Sequence, residues 1–207
     1  MNYSNYADFR NTVQVMLDGD DISTSDLSVD VLDTIIGAGE QRIYRELRSS
    51  TQDTASTGTT TSNLMALPSD FLELHGAPYV GTFGVATYAP WEVVQNLIQV
   101  CAANTNHPVY YTYQTDNILF YPILADGTVI TYQYSKRFAD LSTGLNALFT
   151  RHPDLFLYAS LAESAPFLGE QERGPVWEGK YTNLVNAAQQ QELRRYTRGG
   201  KLSTRVA

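Results

Sequence analysis

The sequence predicts an α+β protein in which helices from both ends of the chain form a bundle and a central segment forms an antiparallel β-rich part. Three observations favour this class. Apolar residues recur at helical spacing in residues 1–48 and 146–196, period-two alternation marks the middle of the chain, and turn residues separate the two patterns. With 207 residues, 43% of them hydrophobic, the chain can bury a core as one compact unit with an extension.

Two helices are predicted before residue 49. Apolar residues spaced three and four apart in residues 6–17 mark a short amphipathic helix, which ends at an Asp-Gly-Asp turn, residues 18–20. A longer helix is expected to start between Ser23 and Asp26. Its apolar stripe consists of Leu32, Ile36, Gly39, Ile43 and Leu47.

Two features of the longer helix indicate what it packs against. Glycine costs a helix about 1 kcal/mol relative to alanine, so the place of Gly39 on the buried stripe predicts the close approach of another helix. Arg42 and Glu46, four residues apart, are predicted to form an exposed ion pair.

Residues 49–63 are predicted to form a mobile loop, or an arm that becomes ordered against a partner. Ten of these fifteen residues are Ser or Thr, and the segment holds no apolar residue larger than Ala55. Because such a segment cannot bury enough surface to order itself, it is assigned to neither part of the fold. The β-rich part is expected to span residues 64–145.

Four groups of β-branched and aromatic residues predict the strands of the β-rich part. They lie in residues 64–76, 108–114, 117–123 and 128–138, with turn signals between them. The last group and residues 109–114 show the alternation of half-buried antiparallel strands. Residues 91–100 are better explained as a helix or an ordered loop. Many of the 14 tyrosines fall on these strands, where they either meet another protein or face the sheet's own core.

An almost wholly apolar helix is predicted to start near His152. Pro153 suits the first helical position, and Asp154 suits the positive end of the helix dipole. Only Ser160 is clearly polar in residues 155–161, so this helix is expected to be surrounded by protein.

A second carboxyl-terminal helix is expected after a break. Pro166 and Gly169 predict that the apolar helix kinks or ends between them, and Pro175 marks the next first position. Trp177, Tyr181, Leu184 and Ala188 form the buried stripe of this second helix. Gly199 and Gly200 predict that it ends near Tyr196.

The two ends of the chain carry opposite charge. Residues 1–40 contain eight acids and one base, whereas residues 194–207 contain five bases and no acid. Residues 197–207 are predicted to form an extended basic arm, which is either solvated or docks on an acidic surface of a neighbour. The five bases are Arg194, Arg195, Arg198, Lys201 and Arg205.

Composition and motifs disfavour several functional classes. The net charge of −8 disfavours nonspecific nucleic-acid binding, and the sole cysteine, Cys101, excludes an internal disulfide. No segment has the pattern of an export signal or a membrane span, so a soluble protein made in the cytoplasm is expected. His75, His107 and His152 each adjoin a turn and form no zinc-binding pair. Phosphate-binding glycine loops and nucleophile motifs are also missing, so we expect no enzyme, no cofactor and no metal.

Seven segments carry a likeness to a known family. They are GEQRIYRELR (39–48), LPSDFLEL (67–74), HPVYYTY (107–113), ILFYPI (118–123), ITYQYSKRFADLS (130–142), NALFTRHPDLFLYASLAE (146–163) and WEGKY (177–181). In these segments the sequence resembles the head-to-tail adaptor, or connector, proteins of tailed bacteriophages, especially those of short-tailed phages. The likeness covers nearly the whole chain and carries over no catalytic residue.

The resemblance implies a structural protein of the virion neck, assembled in the host cytoplasm. It implies a homo-oligomeric ring, typically a dodecamer, with the helical bundle near the portal protein and the β-rich part nearer the tail. The basic arm then binds the portal through its five bases, and a tail tube or nozzle protein docks on the other side. DNA only passes through the channel, whose acidic wall would not hold it.

Two other functions remain open on sequence alone. Asp70, Glu73 and Glu163 are candidate carboxylates for glycoside hydrolysis, which needs two of them about 5–9 Å apart, so a virion-associated cell-wall hydrolase is the alternative. The third possibility is a free cytoplasmic binding module.

Overall fold

The computed structural model describes residues 3–17, 28–100, 109–169 and 172–198. The chain divides into two compact units, a helical unit of Met1–Thr51 with Ala139–Ala207 and a β unit of Gln52–Phe138. Helices and antiparallel sheets together confirm the α+β class. The described helices are α1 (Tyr6–Leu17), α2 (Val29–Glu46), α3 (Trp91–Val100), α4 (Ala147–Arg151), α5 (Pro153–Leu168) and α6 (Gly174–Arg198).

Helix α5 is the centre of the helical unit, as its apolar sequence predicts. It packs against α2 on one side and α6 on another, and α1 and α4 also contact it. The hydroxyl of Ser160, which is buried, donates to the carbonyl oxygen of Phe156 at 2.9 Å, so the polar group in this apolar helix is satisfied. The fully buried aromatic rings of the unit are Phe9, Phe149, Phe156 and Tyr181.

The helix boundaries show which sequence signals set the ends of α5 and α2. His152 precedes Pro153 at the start of α5, and α5 ends at Leu168 with Gly169 in the left-handed conformation, which confirms both predictions. The predicted start of α2 is wrong. Ser28 has extended backbone angles, and its Oγ accepts from the amide of Val31 at 3.4 Å, so the helix is capped two residues after the predicted range.

Gly39 is the point of closest approach between α2 and α5. A Cβ atom on Gly39 would lie 2.8 Å from the backbone nitrogen of Ser160 and 3.0 Å from the carbonyl carbon of Ala159. Real Cβ atoms do not come so close to backbone, so only glycine fits this crossing. The predicted close approach is confirmed.

Within the described part of the β unit, nine strands form two sheets. The strands are β1 (Asp53–Thr59), β2 (Leu64–Ala66), β3 (Phe71–Leu74), β4 (Tyr79–Val80), β5 (Gly84–Val85), β6 (Thr87–Tyr88), β7 (Tyr110–Gln114), β8 (Asn117–Tyr121) and β9 (Val129–Lys136). The first sheet has the order β1-β9-β4-β5, with β3 also pairing with β9, and the second sheet has the order β2-β8-β7-β6. All pairs are antiparallel except β6 with β7.

The four predicted strand groups correspond to β2 with β3, β7, β8 and β9, and residues 91–100 form α3. Strand β9 buries alternate residues as expected, whereas β7 does not. Helix α3 covers one face of the second sheet, where its Val94 packs with Leu119 and Tyr121. Four tyrosines of the β unit, Tyr111, Tyr121, Tyr132 and Tyr134, are buried in its own core, whereas Tyr79, Tyr88 and Tyr113 are exposed.

The prediction of a loop over residues 49–63 is wrong. Residues Asp53–Thr59 form β1, which pairs with β9 over its whole length. Polar β-branched residues suit a strand that has a partner, and Gly58 lies over Met65 and Tyr132. The segment is thus ordered by hydrogen bonding to a distant strand rather than by burial of its own side chains.

Candidate functional site

The carboxyl-terminal end of α6 carries the first of the predicted portal-binding residues. Helix α6 continues to Arg198, two residues beyond the predicted end, so Thr197 and Arg198 do not belong to an extended arm. Arg194 and Arg195 are exposed. Lys201, Arg205 and the side chain of Arg198 lie outside the described residues. The structure therefore places two of the five basic side chains, side by side on the last turns of one helix.

A buried carboxylate lies one turn before these bases. Glu192 is 7% exposed, and its Oε1 accepts from the hydroxyl of Ser49 at 3.1 Å and from Nη1 of Arg151 at 2.9 Å. Its Oε2 accepts from the backbone amide of Ser50 at 3.1 Å. Both carboxylate oxygens are therefore saturated by donors, which is the condition for burying this charge.

These contacts tie the basic end of α6 to the chain that leaves α2. Nη1 of Arg195 donates to Oγ of Ser50 at 2.5 Å, next to the bond that Ser50 makes with Glu192. Burial by itself raises the pKa of Glu192, but hydrogen bonds from Ser50 and Ser49 and the charge of Arg151 outweigh it, so this pKa is lowered. These hydrogen bonds therefore hold Glu192, Ser49 and Ser50 together as a platform beside the exposed bases of α6.

A second buried carboxylate lies on α2. Glu40 is 4% exposed, and its Oε1 accepts both from the hydroxyl of Tyr44 at 2.6 Å and from the amide of Leu141 at 3.0 Å. Burial raises the pKa of Glu40 despite these two bonds. The folded state therefore binds a proton at Glu40 more tightly than the unfolded chain does.

The Glu40→Gln variant is expected to be more stable than the wild type at pH 7, by about 1 kcal/mol. Both donors bond to one oxygen, which glutamine retains, while the buried charge is lost. A raised folded pKa contributes stability that is present below the unfolded pKa and lost as pH rises through the folded pKa. The difference between variant and wild type should thus grow from pH 4 to pH 7 in denaturant titrations.

A matched variant separates charge from hydrogen bonding. Glu40→Leu removes the acceptor and leaves the amide of Leu141 without a partner, so it should be less stable than Glu40→Gln by about 2 kcal/mol at every pH. A Glu40→Gln protein that is less stable than the wild type at pH 7 would contradict the role assigned to burial.

The predicted pair of Arg42 and Glu46 is confirmed, but it belongs to a larger cluster. Nε of Arg42 lies 3.1 Å from Glu46, and its Nη1 donates to Glu163 at 3.1 Å and to Glu178 at 2.9 Å. The guanidinium also lies 4.3 Å from the ring centroid of Tyr181. Only 20% of the Arg42 side chain is exposed, so the expected exposed pair is half-buried. Sequence spacing could reveal only Glu46, because the other partners are on α5 and α6.

The candidate catalytic residues have structural partners. Glu163 is paired with Arg42 in the helical unit. Oδ1 of Asp70 accepts from the hydroxyl of Tyr134 at 3.0 Å in the β unit. Asp70 and Glu73 belong to the β unit and Glu163 to the helical unit.

The two described histidines, His75 and His152, lie next to a turn and at a helix cap, as predicted. Nε2 of His75 lies 2.9 Å from Oδ1 of Asp53 and 2.6 Å from Oγ of Ser135, and His152 links α4 to α5. Burial lowers the pKa of His152. His107 and Cys101 lie outside the described residues.

Metal-binding clusters and membrane-spanning helices are both missing from the part of the chain that the structure describes. It contains no group of histidine, cysteine and acidic residues that could hold a metal ion. Among the same residues, no helix combines the length and the hydropathy that a membrane span requires.

Comparison with known proteins adds one finding. None of the curated proteins compared with this chain matches it. The family model described as SU10 adaptor protein matches residues 4–205, which include both compact units and the basic end of α6. The match covers nearly the whole chain, and the family it defines is structural rather than enzymatic. The chain therefore belongs to the SU10 adaptor protein family, the head-to-tail adaptors of tailed bacteriophages.

Proposed function

We propose that this adaptor forms a homo-oligomeric ring, typically of twelve copies, that docks on the portal protein and connects the capsid to the tail. The observation that carries the proposal is the family match over residues 4–205. The protein would act without catalysis, by burying surface against its own copies, the portal and a tail tube or nozzle protein. It would be assembled in the host cytoplasm and reside in the neck of the virion.

The portal contact is assigned to the basic end of the chain. Arg194, Arg195, Arg198, Lys201 and Arg205 would pair with an acidic surface of the portal, where charge-assisted hydrogen bonds are strong. The platform formed by Glu192, Ser49 and Ser50 supports this assignment, because a base on a fixed helix end loses less entropy on docking than one on a free chain.

The tail-side contact is assigned to the β unit. Several of its large apolar and aromatic residues are half or more exposed, as is typical of residues that a partner covers. They are Tyr79, Val85, Tyr88, Ile123 and Val129. The DNA would only pass through the ring, since the net charge of −8 repels its phosphates.

A pull-down with purified portal protein tests the basic end. Deletion of residues 199–207 combined with Arg194→Glu leaves α6 and the bonds of Glu192 in place. We expect this variant to remain folded and to bind portal at least about tenfold more weakly, with a smaller dependence on salt than the wild type.

The control is Lys180→Glu, which reverses an exposed charge elsewhere on α6 and should bind portal like the wild type. Full retention of binding by the deletion variant would contradict the assignment of these bases to the portal.

A further inference from the structure

A shallow groove separates the end of α5 from the start of α6. It has a volume of about 640 Å³, and apart from Glu178 its walls are small or cyclic residues. These residues are Ala162, Ala165, Pro166, Gly169, Gly174 and Pro175. Two large apolar side chains on the same segments, Phe167 at 67% and Val176 at 57% exposure, remain in water. Apolar side chains beside a concave apolar surface are typical of sites that a partner covers.

One edge of this α5–α6 groove is acidic. Glu178 lines the groove, and Glu163 lies beside it because both carboxylates accept from Nη1 of Arg42. With Glu46, three carboxylates face the single guanidinium of Arg42, which leaves two negative charges in excess. The groove therefore suits an occupant that combines apolar side chains with positive charge.

Residues 199–207 of the same sequence have this chemistry. They contain Lys201 and Arg205, no acid, and the apolar Leu202 and Val206. Each base adjoins an apolar residue, so the segment can present both properties along one short stretch. Helix α6 ends at Arg198, immediately before it.

The segment cannot fill the groove of its own chain. Helix α6 separates Val176 from Arg198 by twenty-two residues, which is about 33 Å along the helix axis. Leu202 is four residues beyond Arg198, and its backbone reaches about 14 Å at most, even when the chain is fully extended. Leu202 of the same chain therefore falls far short of Val176, so the donor must be another copy of this chain.

We propose that residues 199–207 of one copy dock in the α5–α6 groove of the next copy. Leu202 and Val206 cover the apolar walls and Phe167, and Lys201 and Arg205 approach the carboxylates of Glu163 and Glu178. The contact joins different surfaces of the two copies, which is the kind of interface that closes into rings. This contact between copies rests on the proposed ring. Because it holds the segment that the portal later engages, portal binding and this contact compete.

Disulfide trapping tests the contact in the full-length protein. In a Cys101→Ser background, one protein carries Val176→Cys and a second, separately tagged protein carries Leu202→Cys. After mixing and mild oxidation we expect about tenfold more mixed dimer than with Val15→Cys in place of Val176→Cys, because docking raises the effective concentration of the two thiols. Val15 is a matched control, since it is 71% exposed on α1. Equal yields from the two pairs overturn the proposal.

A second experiment tests whether the segment comes from another copy and whether its charges contribute. A single chain with both Val176→Cys and Leu202→Cys should give linked oligomers, and an internally linked monomer overturns the proposal. Lys201→Glu with Arg205→Glu in the Leu202→Cys protein should lower the mixed-dimer yield to the control level, and an unchanged yield likewise counts against the assigned charges.

The groove contact and the portal assignment can be tested independently of each other. Val176→Lys repels the docked segment without altering it, so mixed dimers trapped through Phe167→Cys and Leu202→Cys should disappear while portal binding persists or strengthens. Equal trapping with and without Val176→Lys defeats the groove contact alone. Full portal binding by the protein that lacks residues 199–207 and carries Arg194→Glu defeats the portal assignment alone.

Discussion

Replacing Gly39 with leucine is expected to lower the free energy of unfolding by about 3 kcal/mol, the upper end of the usual cost of overpacking. The first added atom would lie 2.8 Å from the backbone nitrogen of Ser160 and 3.1 Å from its Cα. Backbone in the middle of a helix cannot rotate aside as a side chain can, so α2 and α5 must move apart. Because α5 is the centre of the helical unit, that movement would also loosen α6.

Gly37 provides the matched control for this prediction. It lies two residues earlier on the same helix, and a Cβ atom there would meet nothing within 4 Å. Gly37→Leu should therefore stabilise slightly, by up to about 1 kcal/mol, through helix propensity alone. Thermal unfolding should separate the two variants by about 10 °C, given the usual 2–4 °C per kcal/mol at this size. Equal melting temperatures would contradict the close crossing.

Replacing Glu192 with alanine is expected to destabilise the helical unit by about 3 kcal/mol. The change leaves the buried hydroxyl of Ser49 and the amide of Ser50 without their acceptor, and it breaks the ion pair with the partly exposed Arg151. Glu192→Gln should recover little of this loss. The donors bond to both oxygens of Glu192, so the amide nitrogen of glutamine would face a donor, in contrast to Glu40, where a single oxygen accepts both bonds.

The pH dependence of the same variants gives an independent measurement. The folded pKa of Glu192 is lowered, so its stabilising contribution is present above the pKa of an unfolded glutamate and lost as pH falls through the folded pKa. The wild type should therefore approach Glu192→Ala in stability as the pH is lowered towards 3 in denaturant titrations. A constant difference between them down to that pH would show that the carboxylate charge contributes nothing.

The sequence predicted best those features that depend on neighbouring residues. Pro153 and Gly169 fixed the ends of α5, and the run of apolar residues between them predicted its central position. Gly39 predicted a helix crossing because a glycine on a buried stripe leaves room for the backbone of a second helix. The start of α2 was missed, since several serines in this part of the sequence could cap a helix, and the capping geometry of Ser28 cannot be told from sequence.

Pairing between residues far apart in the sequence determined the features that could not be predicted from the sequence. Residues 49–63 contain no hydrophobic pattern, and β1 forms only because β9 offers seven paired positions from the other end of the β unit. The bases at the end of α6 could be predicted from composition, but the bond of Arg195 to Ser50 joins residues 145 positions apart. Glu163 and Glu178 likewise reach Arg42 only once α5 and α6 have packed on α2.

By itself the amino-acid sequence determined the α+β class, most helix ends, the separation of charge between the two termini and the family. The first three properties follow from periodicity, backbone preference and composition, all of which act over a few residues, whereas the family was recognised from the likeness of seven segments to known adaptor proteins. Only the tertiary structure decided which acids are buried, which donors satisfy them and where a groove is left between α5 and α6. Such contacts depend on the register at which distant helices meet, and no short stretch of sequence contains that register.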